Sequence, residues 1–504
     1  MNQNSFIPIE NKFIQMKEIL NSLRLLLMFS LFCGLTSCTK NFDLINTDPN
    51  RLTAVAPGTL LAPAQFDAMW LITKRAHRIN NELMQYGVET GLLNDFARYA
   101  FKENEFDAIW TTLFLKANDM NEMYRLAEKI SDVNNMGAAL VMKAWMVSNL
   151  TDMFGDIPYS QAFQGKEGLL TPKFDTQQAI YESLLADLRK ANDLFSETKD
   201  FSGLDLIYNN DAVKWKKFCN SLRLRLLIHV SNRAEMNVPA QIAEMVNDPV
   251  KFPLIASNDE EAMMRYSGVK PFINQFFEMS ATEFSGSRRM GKTLIDMMNT
   301  TVDGRRFRYA TKNTPGAYVG IASGYTQQES SVMGANAGLG TSTYATTLKG
   351  DDYPFPILTW SEVNFNLAEA ALKGWISTST TAQGYYNKAI EASWRQWNCT
   401  WDGTAGTSYL ARTTVRFTGT TATMERLIGQ KYIAMFFSGF ESWYDYRRTG
   451  LPLMPVGPAV ENDGILPRRF EYPLIVKATN KTNYEQAAAA MGGDNLKSKV
   501  WWQQ

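Results

Sequence analysis

The chain has only 2 histidines and 4 cysteines in 504 residues. Two histidines argue against a metal enzyme with several histidine ligands, and four cysteines are too few for a disulfide scaffold. The 51 basic residues are balanced by 51 acidic ones, so no net charge attracts nucleic acid. The 32 glycines and 18 prolines are an average content, which excludes collagen-like and largely disordered chains. A globular chain long enough to bury a large core remains.

The sequence also lacks the common catalytic signatures. It contains no G-x-S-x-G, no Walker-type loop, no H-E-x-x-H and no paired C-x-x-C. Carboxylates are abundant, but none can be matched as an acid/base pair. We therefore predict a non-catalytic protein without a cofactor. A structural calcium ion stays open, because Asp and Asn clusters occur but none has the spacing of a calcium loop.

The longest N-terminal apolar run, LLLMFSLFCGL, covers only residues 25–35. A stable membrane-spanning helix needs roughly 20 apolar residues, so this run is too short to span permanently. Lys17 and Arg24 precede it, and this basic flank is typical of a secretory signal peptide. We expect a signal peptide over residues 1–37 with Met16 as the start.

A small-residue stretch, Leu35-Thr36-Ser37-Cys38, follows the apolar run and resembles a bacterial lipobox. In such a site the cysteine thiol receives the lipid and becomes the first residue of the mature protein. This predicts lipidation at Cys38, a tether over 38–50 and a single domain over 51–504. The alternative is an ordinary signal peptide in which Cys38 is incidental.

The remaining cysteines and the two histidines give weaker indications. Cys219 and Cys399 leave a disulfide open in an oxidising compartment, although Cys219 lies on an apolar helical face and is predicted to be buried. His77 is predicted at the surface, and His229 in helix packing. Neither has a second histidine at ligand spacing.

The body of the chain is predicted to be mainly α-helical, in blocks at about 107–232 and 353–450. Apolar residues recur every three or four positions across the first block. Arg223 and Arg225 lie outside the apolar stripe of the helix 211–231, and we expect their side chains to be solvated. The predicted helices are 107–130, 136–153, 175–195, 211–231, 358–375, 385–397 and 424–446. An irregular insert is expected over about 262–350, with its glycine-rich part at 313–350, and a second irregular stretch over 400–423.

Several motifs resemble the SusD/RagB family of surface nutrient-binding lipoproteins. They lie in family order at 150–159 (LTDMFGDIPY), 215–226 (WKKFCNSLRLRL), 353–362 (YPFPILTWSE) and 441–450 (ESWYDYRRTG). The resemblance implies a SusD-like fold with four tetratricopeptide-like helix pairs and a loop-rich ligand side with little β structure. It also implies an anchor in the outer membrane facing the cell exterior. The implied partners are a SusC-like TonB-dependent β-barrel and an oligosaccharide, or in some members a peptide.

The family has no fixed ligand motif, so the site is predicted from chemistry. A sugar site needs aromatic platforms with polar groups at their edges. The stretch 94–101 and the glycine-rich part at 313–350 offer this mixture. Their candidate ligand-binding residues are Asn94, Asp95, Arg98, Tyr99, Tyr318 and Tyr325. Trp401 is a further candidate, whereas the pair Arg305–Arg306 is interpreted as a structural salt-bridge element.

Two other functions remain open from the sequence. One is a tetratricopeptide-like interaction scaffold in the periplasm with protein partners only. The other is a helical glycoside hydrolase, which would need an acid/base carboxylate pair that the sequence does not reveal.

Overall fold

The computed structural model describes residues 55–91, 95–279, 284, 286–314, 316–336 and 340–504, together with Met16 and Asn21. Residues Ala56–Gln504 form one compact unit. Apart from Met16 and Asn21, the predicted signal peptide and tether, with Cys38, lie outside the described residues, as does Asn94.

Three helices in the first half of this unit have a polar side chain that caps their first turn. Asp132, Thr176 and Asp211 each accept a hydrogen bond from a backbone amide three residues later, which satisfies an otherwise unpaired donor. The helices are α1 Leu61–Arg78, α2 Asn80–Leu83, α3 Asp107–Lys129, α4 Val133–Phe154, α5 Gln177–Leu194, α6 Ala212–His229 and α7 Val238–Asn247.

The second half mixes short helices with the two longer helices that follow residue 359. Thr359 and Thr381 cap those longer helices through their hydroxyl oxygens. The helices are α8 Lys292–Thr301, α9 Arg306–Tyr309, α10 Gln327–Asn336, α11 Trp360–Leu372, α12 Ala382–Gln396, α13 Gly403–Ala411, α14 Met424–Ala434, α15 Glu441–Thr449, α16 Leu474–Thr479 and α17 Lys481–Ala490.

The β structure in the described part of the chain is confined to three two-stranded antiparallel ladders. β1 pairs with β5, β2 with β3, and β4 with β6; Gly87 lies opposite Met290 in the first ladder. The strands are β1 Gly87–Glu89, β2 Ile157–Pro158, β3 Phe174–Asp175, β4 Ala262–Met264, β5 Arg288–Met290 and β6 Phe355–Leu358.

Consecutive helices pack against each other along the helical side. The pairs α3–α4, α5–α6 and α11–α12 are in direct contact, and α14 packs on α11 and α12. One apolar core extends from α1 through α6 to the last residues of the chain, and a second is enclosed by α11 to α14. The predicted class, mainly helical with minor β structure, is confirmed.

The predicted helix 424–446 is wrong as one element, because the structure divides it into α14 and α15. Phe437 and Gly439 adopt left-handed backbone conformations with φ of 62° and 63°. The turn between the helices places the rings of Phe436 and Phe437 4.7 Å apart at 90°, and both pack on Tyr344. A continuous helix would separate these adjacent rings by about 100° around its axis.

Both stretches expected to be irregular contain helices. α13 lies within 400–423, and its start is fixed by Asp402, which accepts from the amides of Thr404 (2.9 Å) and Ala405 (2.6 Å). The 262–350 region contains α8, α9 and α10 in addition to β4 and β5. Short helices held by caps lack the long apolar stripe that periodicity detects.

The predicted solvated flank of α6 is wrong, since Arg223 and Arg225 are both buried. α6 contacts α4, α5, α7, α11 and α15, and all of its residues from Phe218 to His229 are buried. The Arg225 guanidinium binds Glu362 through Nε and Nη2 at 2.5 Å each, and its Nη1 lies 3.2 Å from Glu441. This arginine joins α6 to α11 and α15.

His229 completes the buried charge network, which confirms its predicted role in helix packing. Its Nδ1 lies 3.0 Å from Asp152 Oδ2 and its Nε2 lies 3.1 Å from Glu441 Oε2. Burial alone would lower the pKa of His229, but the two carboxylates outweigh it and raise the pKa to about 9. The indole of Trp502 donates to Asp152 at 2.8 Å, so the end of the chain also joins this network.

The surface position predicted for His77 is wrong. The imidazole is 1% exposed and packs between the rings of Phe284 and Phe437, with centroid distances of 5.3 and 5.7 Å. The predicted burial of Cys219 is confirmed, while Cys399 is half-buried and both thiols are free.

Candidate functional site

The first predicted segment forms a short 3-10 turn, Phe96–Arg98, on the less regular side of the molecule. Arg98 Nη2 lies 3.0 Å from Asp95 Oδ1, and its Nη1 lies 3.3 Å from Glu461 Oε1. The backbone amide of Glu461 also donates to the Arg98 carbonyl at 2.7 Å. The structure thus brings Asp95 and Arg98 together. The Arg98 guanidinium, however, is already paired with the carboxylates of Asp95 and Glu461.

Tyr99, predicted as an exposed platform, is only 2% exposed. The turn ends in a left-handed conformation at this residue, with φ of 61°, and the ring enters the main apolar core. Burial raises the pKa of the phenol, as expected for a hydroxyl withdrawn from water. The prediction that Tyr99 offers a stacking surface is therefore wrong.

Tyr325 lies on a loop that is tied to the Arg98 segment. The amide of Ala459 donates to the Gly324 carbonyl at 2.9 Å, and Gly457 donates to Ser323 at 3.1 Å. A Cβ at Gly324 would lie 2.6 Å from the Gly457 nitrogen, so only glycine permits this approach. Because residue 461 binds Arg98, the loops carrying Tyr325 and Arg98 share one surface region.

Tyr318 lies beside a residue that the sequence analysis did not select. Its ring forms an edge-to-face pair with Phe307, with centroids 5.7 Å apart, and Phe307 is 58% exposed. The Arg306 guanidinium lies 5.5 Å from the Phe307 centroid and 5.4 Å from that of Tyr318. The Lys312 ammonium lies 6.0 Å from both centroids. We call Arg306, Phe307, Lys312 and Tyr318 the aromatic platform.

The aromatic platform is positioned by α8. Asn299 donates through Nδ2 to the Tyr318 carbonyl at 3.0 Å, and its Oδ1 accepts from Arg306 Nη1 at 3.1 Å. The chain after Tyr318 is held by the Lys292 amide, which donates to the Ile321 carbonyl at 2.7 Å. These hydrogen bonds fix both aromatic positions before a ligand arrives, which lowers the entropic cost of binding.

The interpretation of Arg305–Arg306 as one structural element is half correct. Arg305 is fully buried and binds Asp303 through Nε at 3.0 Å and Nη2 at 2.6 Å, as a structural salt bridge should. Arg306 turns to Asn299 and the aromatic rings instead. Along the run, Arg305 is buried, Arg306 is half-buried, and Phe307 and Arg308 are exposed, and the sequence carries no signal for this change.

The further candidate Trp401 is a packing residue. Its ring meets Trp394 edge-on at 5.3 Å and belongs to the partly buried rim of the second core. We therefore leave Trp401 out of the candidate site.

An apolar cavity of about 590 Å³ opens next to the Ser323 loop. Met297, Ala322 and Leu453 line it together with Gln85, whose amide nitrogen donates to the Pro455 carbonyl at 2.6 Å. Across the residues that the structure describes, no group of three or more His, Cys, Asp or Glu side chains is arranged to hold a metal ion.

Known proteins share this architecture and identify its family. The sequence signature of the SusD-like family, described as starch-binding associating with outer membrane, matches residues 49–473. The chain belongs to the SusD-like family. The membership predicted from the four motifs is thereby confirmed. Among curated proteins, none is significantly similar to this SusD-like chain.

Solved structures agree with the family. A SusD homologue from Bacteroides fragilis is 26% identical, with 88% of this chain and 100% of that chain covered and a TM-score of 0.75. A chitin-binding protein is 25% identical, with 89% and 99% covered and a TM-score of 0.77. A chitin-binding SusD homologue from Flavobacterium johnsoniae, 22% identical with 88% and 98% covered and a TM-score of 0.72, shows the shared fold alone.

Within the described ranges, no helix of this SusD-like chain combines the length and the apolar character needed to cross a membrane.

Proposed function

We propose that this protein is a lipid-anchored receptor on the cell surface that captures oligosaccharides. It delivers them, chemically unchanged, to a SusC-like TonB-dependent barrel in the outer membrane. Family membership supports this proposal, because the family description joins starch binding to the outer membrane. The relative that is 25% identical and named as chitin-binding supports a polysaccharide ligand.

The observation that carries the proposal is the edge-to-face pair of the exposed Phe307 and the half-buried Tyr318. Sugar rings present apolar C–H faces that stack on aromatic rings, and a fringe of hydroxyls that needs hydrogen-bonding partners. Arg306 and Lys312 supply donors beside the rings, and burial raises the pKa of Tyr318, so its hydroxyl stays neutral and can donate or accept. Asp95, Arg98 and Tyr325 are proposed as flanking contacts on the neighbouring loops.

Removing either platform ring is expected to weaken capture. Phe307→Ala and Tyr318→Ala should each raise the dissociation constant for a retained polysaccharide about tenfold, because a stacking contact is lost. Affinity electrophoresis in polysaccharide gels measures this effect. Tyr124→Ala is the matched control, since Tyr124 is a half-buried tyrosine on α3 with Lys190 4.9 Å from its ring. Unaltered retention of both platform variants, or an equal loss in the control, would refute this site.

The proposed anchor makes a separate prediction at Cys38. Wild-type protein should incorporate labelled palmitate in cells, and Cys38→Ala should not, because the lipid is joined to the sulfur. Cys33→Ala is the matched control, since Cys33 lies within the apolar run rather than after it. Labelling of the Cys38→Ala protein would exclude this anchor while leaving the ligand site unaffected.

A further inference from the structure

The aromatic platform carries positive charge that the protein does not neutralise. Arg306, Arg308 and Lys312 lie within one short segment around Phe307, and none forms an ion pair with a described residue. Arg306 uses one donor for Asn299, and Arg308 Nη2 donates to the Asn398 carbonyl at 2.7 Å. Since the whole chain has a formal net charge of zero, the two platform cations, Arg306 and Lys312, are a local excess and not a property of the entire surface.

Several other basic side chains have carboxylate partners. Arg98 binds Asp95 and Glu461, and Lys292 lies 2.5 Å from Asp296 on α8. Arg305, next to Arg306 in sequence, is neutralised by Asp303. Arg306 and Lys312, in contrast, form no ion pair with a described residue, and both lie beside the exposed Phe307 ring.

We infer that the aromatic platform binds an anionic glycan, one whose sugar rings bear carboxylate or sulfate groups. This inference rests on the proposed function and specifies its ligand class. A sugar stacked on Phe307 would bring a ring substituent toward Arg306 and Lys312, which lie 5.5 and 6.0 Å from the ring centroid. A guanidinium binds carboxylate and sulfate through parallel hydrogen bonds, which a neutral hydroxyl cannot reproduce.

The geometry also leaves the guanidinium free to act. Arg306 makes one hydrogen bond within the described protein, and its Nε is shielded from solvent without a partner. Its outer nitrogen, Nη2, has no hydrogen bond to a described residue. Asn299 holds the group beside the rings without cancelling its charge, since an amide oxygen is neutral.

The test compares matched charged and neutral polysaccharides on the full mature protein. Polygalacturonate and its methyl ester differ in the free carboxylate, and dextran sulfate and dextran differ in the sulfate. We expect retention by at least one acidic polymer, stronger than by its neutral counterpart and weakened by added salt. The variant Arg306→Gln with Lys312→Gln should bind that polymer roughly tenfold more weakly at an unchanged melting temperature.

The control variant is Lys129→Gln with Lys199→Gln, which removes two exposed lysines from the helical side. It should bind as the wild type does. An equal loss in this control would show general charge attraction and overturn the inference. Retention by neutral polymers alone would overturn the anionic ligand but leave glycan capture standing. Retention by no acidic or neutral polysaccharide would count against the proposed function itself.

Discussion

Replacing Arg225 with methionine is expected to lower the free energy of unfolding by about 3 to 5 kcal/mol, the usual cost of leaving a buried charge without its partner. The guanidinium is 2% exposed and binds Glu362 at 2.5 Å through two nitrogens. It also donates to the Ile357 carbonyl at 2.7 Å and faces Glu441 at 3.2 Å. Methionine fills a similar volume but leaves the oxygens of Glu362, Ile357 and Glu441 buried without this donor.

Denaturant unfolding followed by circular dichroism measures the effect of Arg225→Met. Arg412→Met is the matched control, because Arg412 is exposed and should change the stability by less than about 0.5 kcal/mol. Adding Glu362→Leu to Arg225→Met should recover part of the loss, since the stranded carboxylate is then removed. If the single variant is as stable as the control, the buried pairing is not what holds α6 to α11.

The protonated His229 is expected to contribute about 3 kcal/mol to the stability of the wild-type protein, and most of this contribution is lost as pH rises from 6.5 to 9. Its pKa is raised from 6.5 to about 9 in the folded state, where Asp152 and Glu441 face its two ring nitrogens and Tyr181 lies 3.3 Å from Nδ1. The folded chain therefore binds the proton more tightly than the unfolded one. This stabilisation is complete below pH 6.5 and is lost as pH rises through 9.

Two buried carboxyl groups act in the same direction over a lower range. Burial raises the pKa of Glu82 and of Glu261 from 4.5 to about 8, so their contributions are lost between pH 4.5 and 8. Between pH 8 and 9, each carboxyl still loses about 0.4 kcal/mol, whereas His229 loses about 1 kcal/mol. The decline in stability over this interval should therefore be smaller by about 1 kcal/mol in His229→Gln than in the wild type. Parallel declines in the variant and the wild type would show that another group is responsible.

The long helices of the first block were predictable because their apolar stripes are a local property of the sequence. The partners of Arg225 and His229 were not, since Glu362 is 137 residues from Arg225 and Glu441 is 212 residues from His229. Apolar periodicity predicts that a charged residue beside the apolar stripe of a helix is exposed to solvent. It cannot show that other helices cover that face as well. Burial of α6 is a tertiary fact that only the packed structure supplies.

The ligand side was less predictable because its residues lie on loops, where no periodicity assigns a direction to a side chain. Tyr99 and Phe307 illustrate this, since the sequence favoured the first and the structure exposes the second. Tyr318 was selected for its residue type, but its association with Phe307 depends on how α8 and the glycine-rich segment meet. Residue type alone therefore selected Tyr318 and missed its neighbour Phe307.

The joining of residues 152, 229 and 441 by buried charge has a consequence for how such a receptor can diversify. A linear solenoid tolerates loss or duplication of a terminal unit because each unit touches only its neighbours. Here, excising one helical hairpin would strip counter-charges from a distant one, so shuffling of whole repeats is expected to be lethal to the fold. New ligand preferences should arise instead through changes in the surface loops, while the buried interior stays the same.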